Sequence, residues 1–421
     1  MKDGAQPARG ASGDGWSRRR LVTALGAAAA MTTVPAPVAP RSEPAAAGSG
    51  TAPQRGSTTP PETDPTPSPS GSPSLSARSG PRPLFLGTYT SVEGGGKGIG
   101  LASYDPSTGQ ITGTGTITGV DDPSYLALHP NGRTLYAVNE REKGAVTAVR
   151  LADNKVLGSR GTGGAGPCHL SVHPGGRWLL SADYGSGSVA VHPIDASGTL
   201  GERTALVTHS SPAPGPGQDG PHAHQFVTGP DGGHVLAVDL GTDTVYTYRL
   251  DLSKGTLTEV SQAQVRPGAG PRHLTFHPGG RFAYLANEVD NTVAVCVYDP
   301  ATGRLTPGDA QSTGTGGGTS YPAQILVTSD GAYAFLANRG HNSLTRYAVE
   351  AGGARLRLLD TVPVGGDFPR HIAFSPDGAL LFAANQRSGT VTVFHVDRGS
   401  GELRLAGEPF ASPVAVCALP L

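Results

Sequence analysis

The sequence predicts an all-β, seven-bladed β-propeller with four-stranded blades, closed by pairing of its N- and C-terminal strands. Three observations predict it. A turn glycine ends a short apolar run six times, at Gly132, Gly176, Gly232, Gly280, Gly331 and Gly378, at intervals of 44 to 56 residues. A recurring period of about this length belongs to propellers or solenoids. Each interval holds β-type runs bounded by turn residues and no helical run, so each unit is a blade and not a helix pair. The seventh unit is divided between the two ends of the chain.

Within a unit, the first strand starts two residues after an anchor proline and ends at a Pro-Asp-Gly or Pro-Gly-Gly type turn. The second strand follows the turn, as in Arg133-Thr134-Leu135-Tyr136-Ala137-Val138 and Arg281-Phe282-Ala283-Tyr284-Leu285-Ala286. Third strands read Thr244-Val245-Tyr246-Thr247-Tyr248 or Thr390-Val391-Thr392-Val393-Phe394, and a fourth follows a Gly-rich turn, as at Gly255 to Val260. At the N-terminal end, Leu84 to Tyr89 supplies a second strand and Ile99 to Tyr104 a third. Their first strand is Pro413 to Leu419, at the far end. Pairing of those ends closes the ring and removes the exposed edges of an open array.

Composition agrees. The chain has 62 glycines and 37 prolines in 421 residues, is 15% charged, and carries a formal net charge of -1. That balance offers no basic surface for nucleic acid and no acidic tail for a basic partner. The cysteines are Cys168, Cys296 and Cys417, with no C-x-x-C spacing, which argues against a disulfide framework or zinc site.

Residues 1–47 read as an export signal. Arg18-Arg19-Arg20 stands before an alanine-rich apolar stretch running from Leu21 to about Val34, and small residues follow at Ala45-Ala46-Ala47. Ser17-Arg18-Arg19-Arg20-Leu21 resembles a twin-arginine signal, which implies the twin-arginine export machinery as a partner and a secreted or cell-envelope location. The stretch is shorter than the roughly 20 apolar residues of a membrane span, so no stable membrane anchor is expected. Residues 48–82 are rich in Pro, Ser, Thr and Gly and read as a disordered linker. Residues 83–421 form the propeller.

In such a blade the start of the first strand lies beside the end of the second. First strands line the channel, so both sets of residues converge on one mouth. First strands contribute Tyr125, Cys168, His169, His222, His224, Arg272, His273, Gln324, Arg370 and His371. One blade carries two extra residues in Pro221-His222-Ala223-His224, and alignment on Gly232 puts His224 where Arg272 sits in its own blade. Second-strand ends contribute Asn139-Glu140, Asp183-Tyr184, Asp239, Asn287-Glu288, Asn338-Arg339 and Asn385-Gln386. Gathering imidazoles, guanidiniums and carboxylates in one place is costly in desolvation and repulsion, which points to a binding or catalytic site. The recurring Asn or Asp has a plainer reading, since short polar side chains bond local backbone at turns. The residue after it varies from blade to blade, as a shaped site requires. His129, His173 and His277, each before a proline, belong to turns on the opposite face. His222-x-His224 is a conceivable ligand pair, but no spaced carboxylates complete it, and no metal is expected.

At these residues the chain resembles the lactonase family, which includes the bacterial propeller-type 6-phosphogluconolactonase and the fungal carboxy-cis,cis-muconate lactonizing enzyme (cycloisomerase 2). The resemblance rests on Leu86-Gly87-Thr88-Tyr89-Thr90, Pro221-His222-Ala223-His224, Gly270-Pro271-Arg272-His273 and Asn338-Arg339-Gly340-His341, and covers residue 83 to the end. It implies a propeller with its site at the channel mouth, a small lactone substrate and no obligatory cofactor.

Lactone hydrolysis needs an activated water, a donor for the oxyanion and a proton for the leaving alkoxide. His169, His222 and His224 are the candidate bases, with Glu288 or Glu140 orienting or substituting. Arg272 is the candidate oxyanion donor. Arg339 and Arg370 suit a phosphate or carboxylate, and His273, Gln324 and His371 complete a substrate-binding wall. Two other functions stay open: a muconate-type cycloisomerase, and a non-enzymatic propeller binding an envelope polymer or a protein. An exported enzyme also sits awkwardly with a phosphorylated sugar lactone, which is a cytoplasmic metabolite.

Overall fold

The computed structural model describes residues 80–210 and 218–421. The expected export signal and nearly all of the expected linker lie outside the described residues. Seven four-position sheets are present, each antiparallel throughout and built from consecutive strands, with one exception. The exception is the closing sheet, ordered Ala415–Pro420, Arg82–Thr88, Ile99–Tyr104, Ile111–Ile117. Leu84 pairs with Pro420, Leu86 with Ala418 and Gly87 with Cys417. The two ends of the chain therefore zip into one blade, as the split repeat predicts. The one sheet with a fifth strand has Phe410–Ala411 beside Thr390–Val396, where a short Leu403–Leu405 leaves part of the outer edge open.

Each blade is apolar on both faces because each is sandwiched between neighbours. Seven buried clusters result, one at each blade–blade junction. Aromatic rings bridge the widening outer part of the wedge. Tyr136, Tyr284 and Tyr298 are buried there, and their hydroxyls reach Gly198 O, Gly353 O and the Asp231 carboxylate. Such rings bring large apolar area and one polar tip that finds a partner.

The turns on one face are also joined. Nε2 of His129 bonds Gly176 O at 2.8 Å, and Nε2 of His173 bonds Gly232 O at 2.8 Å. These histidines are turn residues, as expected, and they staple each turn to the next blade's turn. The turn glycines they meet have φ near +72°, and a Cβ at Gly176 would stand 2.9 Å from the His129 ring, so glycine serves both the backbone and the approach.

The opposite face carries the channel mouth. The inner strands Pro167–Val172, Ala223–Thr228, Pro271–Phe276 and Pro369–Phe374 each contain a one-residue bulge just inside that mouth. A bulge turns two successive side chains toward one side of the sheet. That is how Cys168 and His169, His224 and Gln225, Arg272 and His273, and Arg370 and His371 all reach the channel. Ala223 pairs with Asp239 as Pro271 pairs with Asn287, so His224 and Arg272 occupy one position in their blades, as the alignment on Gly232 predicts.

The recurring Asn at the second-strand end ties that strand to the third. Asn338 Nδ2 donates to Ser343 Oγ at 3.1 Å and Thr345 Oγ1 at 2.8 Å, and Asn287 and Asn385 make the same reach to Thr292 and Thr390. One blade substitutes Asp183, fully buried, with Ser188 Oγ at 3.3 Å. Burial pushes its carboxyl up to about 7 against an ordinary 3.8. The folded state therefore holds this proton more tightly than the unfolded chain. The contribution is intact below about pH 4 and is lost as pH rises toward 7. Asp183→Asn supplies a neutral donor like that of Asn338. It is expected to leave stability at pH 4 unchanged and to raise it by about 2–4 kcal/mol at pH 7.5, measured by denaturant unfolding at both pH values.

Candidate active site

Two rings of side chains fill the mouth. The deeper ring holds Tyr125, His169, Gln225, His273, Gln324 and His371, from or just before six of the seven inner strands in turn. Ring centroids of Tyr125 and His169 are 4.4 Å apart, Tyr125 and His371 5.2 Å, and His169 and His273 5.4 Å, so the aromatic members plug the channel. Beyond the plug, toward the other face, lies a cavity of about 390 Å³ walled mainly by apolar residues such as Leu126, Leu170, Val227, Phe276 and Leu326.

This deeper ring braces the blades. An inner strand has no fifth strand beside it, so its channel-side backbone groups need partners. Four ring members supply one to the next blade. Gln225 accepts from Leu274 N at 2.8 Å and donates to Leu274 O at 3.1 Å. Gln324 accepts from Ile372 N at 3.1 Å. Nδ1 of His169 accepts from Phe226 N, and Nδ1 of His371 from Ala418 N, both at 3.4 Å. An imidazole that accepts at Nδ1 is neutral and carries its hydrogen on Nε2. Burial first, and then nearby charge (His371 and Arg272 for His169, Arg272 and Arg370 for His371), holds both rings down at about 3. His273 is lowered as well, again chiefly by burial. His169, expected as a base, and Gln324 and His371, expected as substrate contacts, each hold the backbone of the next blade.

The outer ring is charged. Arg272, Arg339 and Arg370 have side chains 2%, 6% and 5% exposed. Glu288 Oε2 lies 2.9 Å from Arg272 Nε and 2.6 Å from Arg339 Nη2. Glu140 Oε2 lies 3.6 Å from Arg370 Nη2 and accepts from Tyr89 and from Ser124 Oγ. Burial works to raise the Glu288 carboxyl, but Arg339 and Arg272 together hold it below the usual carboxylate range. Arg272 is pushed well down by burial and by Arg339. Three buried guanidiniums therefore face two carboxylates, and the mouth keeps an excess positive charge. Arg339 is anchored further, donating to Tyr321 O and Pro322 O at 3.2 Å each.

The histidines divide. His224 stands in the outer ring, 3% exposed, with Arg272, Arg370, Cys168 and Tyr125 around a pocket of about 10 Å³. That is close to the space of one water molecule. His222 lies at the rim, stacked 4.3 Å over Tyr184. Its Nδ1 meets Tyr184 O at 2.9 Å and its Nε2 meets Asp219 Oδ1 at 2.7 Å. Both of its ring nitrogens are therefore engaged at the rim, and His222, expected as a base, does not line the pocket beside His224. Among the described residues no group of three or more His, Cys, Asp or Glu could hold a metal ion.

Sequence reasoning missed Tyr89, Phe368 and Arg387. Tyr89 follows the second strand of the split blade as Glu140 does in its own, so the repeat could have found it. Phe368 precedes an anchor proline, a position treated only as turn. Five blades take a positive φ just before the inner strand, at Asp122, Gly166, Gly270, Phe368 and Val414. Bulky residues in that region are strained.

Glu288→Ala is expected to cost about 3 kcal/mol of stability, because it leaves two buried guanidiniums uncompensated. Phosphate should raise the Tm of the variant more than that of the wild type, compared with chloride at equal ionic strength. A variant as stable as wild type in both salts would show that the excess charge is not held at this point.

Comparison with known proteins agrees with this fold. The family described as lactonase, 7-bladed beta-propeller, matches residues 83–420. The 6-phosphogluconolactonase of Bacillus subtilis is 32% identical over 296 residues, covering 67% of this chain and 82% of that protein. Among solved structures, the periplasmic gluconolactonase of Pseudomonas aeruginosa superposes with a TM-score of 0.75 at 29% identity, covering 81% of this chain and 99% of that one. A Lactobacillus plantarum protein superposes with a TM-score of 0.76 at 32% identity, covering 81% and 99%.

Proposed function

The chain belongs to the seven-bladed propeller lactonase family, and from that premise we propose that it is an exported hydrolase of sugar lactones. The observation that carries the reading is the outer ring: Arg272, Arg370 and His224 line a pocket of one-water size, with Glu288 bridging Arg272 to Arg339 and Glu140 beside Arg370. In this reading the lactone carbonyl sits over that pocket. Arg272 donates to the carbonyl oxygen as it becomes negative, a charge better stabilised by a fixed, dry guanidinium than by solvent. A water beneath gives its proton to His224 as its oxygen bonds the carbonyl carbon. The ring C–O bond then breaks, and the proton passes from His224 to the departing alkoxide. The open product is a hydroxy acid, whose new carboxylate the arginines favour.

Relatives bear the names of both 6-phosphogluconolactonase and periplasmic gluconolactonase. An export signal favours a lactone met outside the cytoplasm. Arg18-Arg19-Arg20 is the feature behind the twin-arginine route. A muconate-type cycloisomerase would use the same arginines, histidine and glutamates differently, whereas the polymer-binding alternative gains no support from a mouth lined chiefly by Arg, Glu and His.

Rates corrected for spontaneous hydrolysis test this on gluconolactone and 6-phosphogluconolactone. His224→Gln and Arg272→Lys are each expected to lower kcat/KM about a hundredfold. A wild-type rate equal to buffer on both substrates would end the hydrolase reading. Replacing Arg18, Arg19 and Arg20 together by Lys is expected to retain the protein inside the cell, read by fractionation of a bacterial host that has the twin-arginine machinery. Export of that variant at the wild-type level would remove the twin-arginine assignment.

A further inference from the structure

One part of the mouth is not used by the chemistry above. Phe368 holds φ at +68°, where a bulky side chain is strained. The loop fixes it there from several sides. Its N–H donates to Asn342 Oδ1 at 2.8 Å, and its carbonyl accepts from Gln386 N at 3.0 Å. Asn342 Nδ2 also holds the Asp367 carboxylate at 2.8 Å. Two blades place glycine at the equivalent position, Gly166 and Gly270, which adopt the same φ without that strain. The ring is half-buried and lies between two cations. The Arg387 guanidinium is 3.8 Å from its centroid and that of Arg339 is 5.4 Å away.

Arg339 joins this group to the outer ring through Glu288 and Arg272. Arg387 is exposed and pairs with no carboxylate among the described residues. Stacking uses the face of a guanidinium and leaves its in-plane N–H donors pointing outward. A stacked, otherwise uncommitted arginine is thus preorganised to take an oxyanion bidentately. Asp367, on the neighbouring loop before Pro369–Phe374, accepts at its carboxylate from Asn342 Nδ2 and at its carbonyl from Arg387 N, and its carboxylate forms no ion pair with the Arg387 guanidinium.

We propose that Arg387, seated on Phe368 and adjoining Arg339, forms an outer subsite for a second anionic group of the substrate, a phosphate or carboxylate remote from the lactone carbonyl. The inference rests on the lactonase reading and narrows its substrate to an anionic sugar lactone. The inner arginines hold the reacting end, and the outer subsite holds the tail. Phe368 sets specificity by fixing the plane of Arg387, and the strained backbone is retained for that ring.

The test is isothermal titration of the full chain with three open-chain acids: gluconate, 6-phosphogluconate and glucarate. All share the end that the inner site would hold, and the last two add a terminal phosphate or carboxylate. Wild type is expected to prefer at least one of these two over gluconate by tenfold or more, and the better one names the tail. Arg387→Gln, Arg387→Lys and Phe368→Gly are each expected to cut that preference at least fivefold, with Phe368→Tyr retaining it. Phe368→Gly should keep or raise the Tm, since it relieves the positive φ, so loss of preference there cannot be loss of fold. A wild type without preference, or one that binds none of the three, overturns the subsite, as does a Phe368→Gly variant with the preference intact. Hydrolysis of the two lactones by the same wild-type preparation separates the cases: lactonase activity without preference removes only the outer subsite, and preference without activity removes only the hydrolase.

Discussion

The structure depends on how seven separate sheets are made into one ring without a continuous sheet between them. The inner edge of every blade faces the channel with unpaired backbone groups. In a protein interior such groups must find partners. Here the partner is a side chain from the preceding blade, Gln225 onto Leu274 or His169 onto Phe226. This brace and the His-to-glycine staples on the far face tie blade to blade at both ends of the channel. The terminal zipper at Leu84 and Pro420 then closes the circle.

That requirement decides which polar residues are available for chemistry. A histidine whose Nδ1 is committed to a backbone N–H, and whose proton affinity burial has lowered, is a structural acceptor. His169 and His371 are of this kind. The residue just before the brace is set free by the bulge to face the mouth, and there the chain places Cys168, His224, Arg272 and Arg370. Support and chemistry are therefore interleaved along the same strand, one residue apart. The braces fix the backbone, and the backbone fixes the charged ring to within the tolerance that an oxyanion needs.

The fold was legible because the circular constraint writes itself as a repeat. The turn glycines, the third-strand runs and the divided blade required nothing beyond period and pattern. The candidate site was legible to the level of position: Arg272, His224, Glu288, Arg339, Arg370 and Glu140 meet at one mouth, as strand polarity dictates. What the sequence did not separate was the role of neighbours in one strand. His169 and His371 share a column with Gln225 and Gln324, and an amide and an imidazole in one column is the signature of a shared acceptor. The bulge that distinguishes that column from the next is a backbone feature with no residue of its own. Phe368 escaped for a related reason, since only coordinates give its φ.

The charge balance carries the functional argument further than the histidines do. A buried guanidinium is expensive unless its charge is answered. Glu288 answers two guanidiniums with one carboxylate, and Glu140 stands 3.6 Å from the third while also serving Tyr89 and Ser124. A site made only for stability would close this account with another acid, or with apolar residues of similar volume. Retaining the deficit leaves a field that favours whichever species brings negative charge into the mouth. A neutral lactone gains from it little on arrival, more as its carbonyl oxygen becomes an alkoxide, and again when the product acid ionises. The gain at the alkoxide accelerates the reaction, and the gain at the product acid slows its release. An exposed arginine at the rim, away from the reacting carbon, adds hold on a tail without deepening the trap around the new carboxylate. That separation gives a physical reason for placing substrate selection at Arg387 and Phe368 and leaving the chemistry to Arg272 and His224.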